Sequence, residues 1–229
     1  MHTAQEDYIT GVFVKELKNR FLCLVNVSGN DAVCYVPLSC HLSNFLELRG
    51  KTVMLKPTES KNSRTKYTIW AIPYKRNQII LNASMANKAL ENNIKSRRFS
   101  FLGKRHDIRR EHYIDGYKAD FFIKDSNTLI EVKSIISVED IAIFPTVFSE
   151  RTHNQLLKIQ ELISGGYKAF LIIVSLNPYV KKIRINKDTD FYIDLKRCIS
   201  LGLNCRAYSC KLNGNNAPIL FKEIELLDI

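Results

Sequence analysis

Three charged side chains sit inside two otherwise apolar runs. From Tyr117 to Ile135 the chain reads "YKADFFIKDSNTLIEVKSI", and Asp120, Glu131 and Lys133 fall within its two strand-like halves. Charged groups are costly to desolvate, so strands that carry them need a partner for each. With "DSNT" at Asp125 to Thr128 as the turn, the simplest hairpin pairs Asp120 with Lys133 and Phe122 with Glu131. Side chains alternate along a strand, so Glu131 and Lys133 share a face. Opposed Cβ atoms lie about 5 Å apart and diagonal ones about 7–8 Å, which brings the three groups onto one patch. Two carboxylates so close repel, and a divalent cation between them removes the repulsion. Hard oxygen donors without thiolates or paired imidazoles suit Mg2+ or Mn2+. A lysine beside such a site can position a water and stabilise charge developing on phosphate. That is the chemistry of metal-dependent phosphodiester hydrolysis. The same residues also fit a plain Asp120–Lys133 ion pair, with Glu131 solvated on an open sheet face.

The charge balance is compatible with a polyanionic partner. Lys and Arg number 34 against 23 Asp and Glu, a formal excess of 11. Nucleic acid is the commonest large polyanion, although simple solubility accounts for such an excess equally well. The segment from Lys95 to Lys118 concentrates the charge. Arg97, Arg98, Arg109 and Arg110 lie there, and Phe99, Phe101 and Tyr113 are interspersed along the same segment. Cations neutralise phosphates and aromatic faces stack on bases, so the segment reads as a nucleic-acid groove or as a solvated loop between domains.

No apolar stretch approaches the roughly eighteen residues of a membrane span, and the start lacks the features of a signal peptide. A membrane partner is therefore not expected. The six cysteines, Cys23, Cys34, Cys40, Cys198, Cys205 and Cys210, include no C-x-x-C pair. They read as reduced core residues of a cytoplasmic protein, and a zinc site is disfavoured.

Two kinds of element must position the hairpin. Residues 1–81 show short β-rich runs separated by "SGN", "SKNSR" and "KRNQ", which suggests an OB-like β-barrel that binds nucleic acid. Its basic turn offers Arg64 and Lys66, beside Lys61 and Tyr67. Residues 82–229 change to a mixed α/β rhythm. A helix is expected over "SMANKALENNIKS" with Ser84 as N-cap, followed by the hairpin and a helix over about Glu150 to Ser164. The apolar strand "KAFLIIVSL", a helix over about Asp190 to Leu201 and the strand "NCRAYSCKL" complete the pattern. Gly165, Gly166 and Gly202 stand where helices stop. A strand apolar on both faces, joined through helices, implies a parallel sheet covered on both sides. The fold class is thus mixed α+β.

Several stretches together resemble the SfsA family, the sugar fermentation stimulation proteins: "RREHYIDGYKADFFI", "LIEVKS", "IFPTVFSERTHNQLLKIQELISGGYKAFLIIV" and "RTKYTIWAI". That family pairs an N-terminal OB-like domain with a C-terminal nuclease domain of the PD-(D/E)XK type. The resemblance implies that Asp120 and Glu131 are metal ligands and Lys133 the catalytic lysine. It implies a further acid on the preceding helix, best matched by Glu91, which is otherwise a solvated helix residue. Arg151 matches the family's arginine and would contact phosphate. Three places depart from the pattern: Leu38 follows Pro37 where the family has asparagine, Gln155 stands where a helix histidine is expected, with His153 on a different face, and "YKAD" with Lys118 replaces the serine–arginine pair before the family's aspartate. The implied activity is a nuclease acting on DNA rather than RNA. The alternatives are a non-catalytic nucleic-acid-binding regulator of the same fold and a structural protein whose carboxylates form ion pairs. The oligomeric state stays open, with a homodimer as one option.

Overall fold

In a computed structural model, described over residues 8–38, 41–44, 46–58 and 63–229, the first strands close on themselves. They are β1 (Ile9–Glu16), β2 (Leu22–Val27), β3 (Asn30–Tyr35), β4 (Thr52–Pro57), β5 (Tyr67–Tyr74) and β6 (Asn77–Ile80). β1 pairs with β2 and β4, β2 with β3, and β4 with β5, all antiparallel. A short parallel contact of Cys34 with Tyr67 joins β3 to β5 and completes a five-stranded barrel, with β6 appended to β5. Closure leaves no long unpaired edge. The interior is filled by Phe13, Val25, Val53, Leu55 and Ile69 among others. Gly11 has no room for a side chain: a Cβ there would lie 2.6 Å from Val25 Cγ1 and 2.8 Å from Asn26 O. Cys40 and Lys61 lie outside the described residues, as does most of the turn expected around Lys61 at 60–64.

The rest of the chain builds one eight-stranded sheet. Its elements are α1 (Met85–Asn93), β7 (Ile108–Ile114), β8 (Tyr117–Ile123), β9 (Thr128–Ile135), β10 (Ile141–Phe144) and α2 (Glu150–Ser164), then β11 (Lys168–Ser175), β12 (Lys182–Ile185), α3 (Asp190–Ser200), β13 (Asn204–Leu212) and β14 (Pro218–Leu227). The strand order is β10-β12-β14-β13-β11-β9-β8-β7. β9, β11 and β13 run parallel at its centre, joined through α2 and α3. β11 is buried over seven of its eight residues, as its apolar sequence requires.

Each face of the sheet carries its own core. One packs α1 and Phe99 against Phe121, Ile130, Ile172 and Tyr208, and Trp70, Ala71 and Ile80 of the barrel join it. The barrel is therefore fastened to this face, and the Ile80 amide donates to Leu176 O at 3.0 Å. The other face is covered by α2 and α3, through Leu156, Ile159, Phe191 and Leu195. Both helices end as expected. The Tyr167 amide bonds back to Leu162 O past Gly166, whose φ of +93° suits a residue without Cβ. Among the described residues, no helix is long and apolar enough to cross a membrane, and the described cysteines are free thiols.

Two local expectations need correction. Ser84 does not cap α1 with its side chain. Instead Asn82 Oδ1 accepts from the Ser84 amide and hydroxyl, while Asn82 O accepts from the Met85 amide. Asn82 supplies the acceptors because Ser84 already has helical backbone angles. The hairpin turn also lies one residue earlier than "DSNT". A 3-10 turn at Lys124–Ser126 and a left-handed Asn127 make the loop, and Thr128 is already in the strand. Asp125 accepts from the amides of His106 and Asp107 at 2.8 Å each, and Thr128 Oγ1 is buried against Ser126. Ile123 consequently pairs with Thr128, and Phe121 with Ile130. The expected Asp120–Lys133 and Phe122–Glu131 pairs do not form.

Candidate active site

The corrected register would next place Asp120 opposite Glu131, but the ladder opens at that point. The Val132 amide donates instead to Asp120 Oδ2 at 2.8 Å. On the other side of β8, the pair flanked by His112–Ala119 and Arg110–Phe121 is also missing from the ladder. It would hold Glu111, which has φ +47°. Alternation changes hands here. Tyr117 and Ala119 face the α2 side, whereas Phe121 and Ile123 face the α1 side. The strand is twisted at Asp120 and aims its carboxylate along the opened seam, as irregular strand positions do.

The groups gathered at this seam form one network. Glu131, only 3% exposed, accepts at Oε2 from the Tyr117 hydroxyl and at Oε1 from Lys133 Nζ at 2.9 Å. Lys133 Nζ also donates to Gln155 Oε1 at 2.5 Å. Asp120 Oδ1 accepts from Asn87 Nδ2 at 3.2 Å. Burial, and then the neighbouring Glu131 carboxylate, push the Asp120 carboxyl up to about 6. Burial first, and Glu131 next, also raise the Tyr117 phenol, which stays protonated and can only donate to Glu131. The seam opens into a cleft of about 580 Å³ lined by Tyr117, Asp120, Glu150, Arg151, Asn154 and Gln155 among others.

Of the residues expected from sequence, Asp120, Glu131 and Lys133 are brought together, and Arg151 lines the same cleft. Glu91 lies one helical turn from Asn87, but its carboxylate is held by Lys88 at 2.8 Å and Arg110 at 3.1 Å. Those cations, Lys88 foremost, lower its pKa. Among the described residues, no group of three His, Cys, Asp or Glu is close enough to hold a metal. The basic segment has internal work. Arg98 donates to Leu220 O and Phe221 O at 3.1 Å each, and Arg109 pairs with Asp107 at 3.0 Å. Arg97 is exposed at the start of a 3-10 turn, and Arg64 and Lys66 are exposed where the chain enters β5. Sequence reasoning missed Asn87, Tyr117 and the partnership of Gln155 with Lys133. Asn87 was within reach of it, since it precedes Glu91 by one helical turn on the same face.

Comparison with known proteins follows the same outline. The family model described as "Sugar fermentation stimulation protein RE domain" matches residues 84–216. A "Sugar fermentation stimulation protein homolog" of Clostridium kluyveri is 28% identical over 215 residues, covering 91% of this chain and 92% of its own. A homolog of the same name from Pelagibacter ubique is 25% identical over 227 residues, covering 96% and 97%. The solved structure of Pyrococcus furiosus SfsA in complex with Ca2+ superposes with a TM-score of 0.83 at 21% identity, over 97% of this chain and 96% of that one.

Proposed function

The chain belongs to the SfsA family, and on that premise we propose that it is a divalent-metal-dependent nuclease, acting on DNA in preference to RNA, whose reacting groups are Asp120, Glu131 and Lys133. One observation carries the reading: two acids meet at an opened strand seam beside a cleft of about 580 Å³, where burial first and the Glu131 carboxylate next push Asp120 up to about 6. Carboxylates that only stabilised the fold would gain by moving apart or by taking one cation each.

Asp120 and Glu131 suit a hard cation such as Mg2+ or Mn2+. Each of their oxygens has one protein donor and keeps a further lone pair. When bound, such an ion supplies positive charge against a phosphate and a more acidic water. The relative from Pyrococcus furiosus is described in complex with Ca2+, another oxygen-seeking ion, which supports an oxygen-donor site. Tyr117 fixes the rotamer of Glu131. Lys133, held between Glu131 and Gln155, presents an ammonium that can hold a water or meet phosphate charge. Arg151 faces the cleft, where it can hold a phosphate.

A non-catalytic nucleic-acid binder is the second reading. It is favoured by the engagement of Glu91 with Lys88 and Arg110, which leaves two acids rather than three at the seam. One titration separates the two. Mg2+ or Mn2+ is varied against single- and double-stranded DNA and RNA, with wild type, Asp120→Asn and Glu131→Gln. The nuclease reading expects metal-saturable cleavage that both folded variants lose. Binding without cleavage at any metal concentration replaces it with the second reading.

A further inference from the structure

A second cavity, of about 540 Å³, lies across α2 from the cleft. The two share a wall. Glu150, Arg151, Asn154 and Gln155 line the cleft, whereas Ser149, Thr152 and His153, on the other side of the same helical turns, line the second cavity. Lys133 lines that cavity too, while its Nζ reaches Gln155 of the cleft. Lys133 thus connects the two spaces, and a strand held by phosphate at Lys133 would bring its neighbouring nucleotide within reach of this cavity.

The walls have the character of a site for a flat, partly polar ring. Phe144, Pro145, Val147 and Phe148 supply apolar surface. Val147 and Phe148 are adjacent and 59% and 67% exposed, so the wall presents apolar surface to solvent. One polar group is held in place within this wall. His153 Nδ1 lies 2.6 Å from Asp194 Oδ2, and Asp194 is buried at 3% exposure. This contact with Asp194 fixes the ring and leaves Nε2 without a protein partner among the described residues. An aromatic face beside one oriented edge group is how single-stranded bases are bound: stacking supplies affinity and an edge contact sets orientation.

We propose that this cavity takes the nucleobase next to the reacting phosphate, so that the substrate must be single-stranded or locally unpaired there. The proposal rests on the nuclease reading but is tested apart from cleavage. Fluorescein-labelled hexathymidylate and an abasic hexamer of the same charge are titrated with the full chain in EDTA, followed by anisotropy. Wild type should bind the base-bearing strand about tenfold more tightly, the scale of one stacked base. Phe148→Ala, on an exposed loop, and His153→Gln, which keeps a polar edge beside Asp194, should both shrink that ratio while leaving abasic binding unchanged. An equal affinity of wild type for the two strands overturns the proposal. If metal-dependent cleavage is nonetheless observed, the nuclease reading survives alone. If neither strand is bound or cut, both fall. A Phe148→Ala variant that keeps the ratio but shifts the sedimentation of wild type assigns the patch to a second copy of the chain, and the proposal fails.

Discussion

The amide of Val132 donates to the carboxylate of Asp120 at 2.8 Å, where β8 and β9 cease to pair. A side chain thus replaces a main-chain acceptor, and the seam this leaves is where the acids meet. Holding Asp120 there has a pH signature. Its carboxyl is pushed up to about 6, first by burial and then by Glu131. Because the folded value lies above the unfolded one, the contribution to stability is fully present below about pH 4 and is lost as pH rises through about 6. The metal-free wild type should therefore lose roughly 2–3 kcal/mol relative to Asp120→Asn between about pH 4 and pH 7. Urea unfolding of both proteins across that range measures it. Millimolar Ca2+ should restore wild type and leave the variant unmoved. A stability difference that does not change with pH rejects the assignment.

Lys133 is tied to Glu131 within the protein, not to Asp120 across the hairpin as the simplest register implies. Removing the ammonium leaves a buried carboxylate with the Tyr117 hydroxyl as its remaining donor. Lys133→Met should cost about 3–5 kcal/mol, as breaking a buried pair does, and adding Glu131→Gln should return part of it. The coupling energy from denaturant midpoints of the four proteins is expected at about 1–3 kcal/mol. Additive effects would mean that water already screens the pair.

The periodic features were legible from sequence, and the exceptions to periodicity were not. β11 is apolar on both faces because it lies between two cores, and α2 and α3 end at glycines because their C-termini need left-handed residues. Both follow from local composition. The register of β8 and β9 does not. It turns on Asp125, which accepts two amides from residues 106 and 107 and so moves the turn back by one. The twist at Asp120 and the left-handed Glu111 break the alternation that any strand reading assumes. Asp120, Glu131 and Lys133 still converged, because three charges in two short apolar strands have few places to go. The role of Gln155 was hidden, since it meets Lys133 from a helix that follows the hairpin, and that of Tyr117 was hidden because its bond to Glu131 depends on the altered register.

The arginines divide into those that brace the fold and those that face the cleft. Arg98 donates to two carbonyls of β14, so Arg98→Gln should lower stability by about 1–3 kcal/mol through unsatisfied acceptors and leave the salt dependence of binding unchanged. Arg151, on the cleft, should behave in the opposite way. Arg151→Gln is expected to leave the urea midpoint near wild type and to reduce the slope of log affinity against log salt by about one phosphate contact. Binding isotherms over a series of KCl concentrations, beside unfolding curves, check both. A slope altered by Arg98→Gln with unchanged stability would reverse the two roles.

The barrel should contribute affinity and not chemistry. Its described residues bring no acid pair like the one at the hairpin seam, while Arg64 and Lys66 stand exposed at the entry to β5. Lys66 already uses its carbonyl to accept from the Thr58 amide at 2.9 Å, so its backbone is fixed even though its side chain is not. Contacts to remote parts of a substrate act on binding before they act on the reacting bond. Arg64→Ala combined with Lys66→Ala should raise KM for long oligonucleotides several-fold, leave kcat close to wild type, and have little effect on substrates too short to reach the barrel. Because both side chains are exposed, the double variant should also keep its unfolding midpoint, which separates lost contacts from lost structure. Steady-state kinetics over a length series provides the measurement. If KM stays at wild-type values at every length, the strand does not run past β5. The basic residues of the other half, Arg151 first among them, would then have to hold it alone.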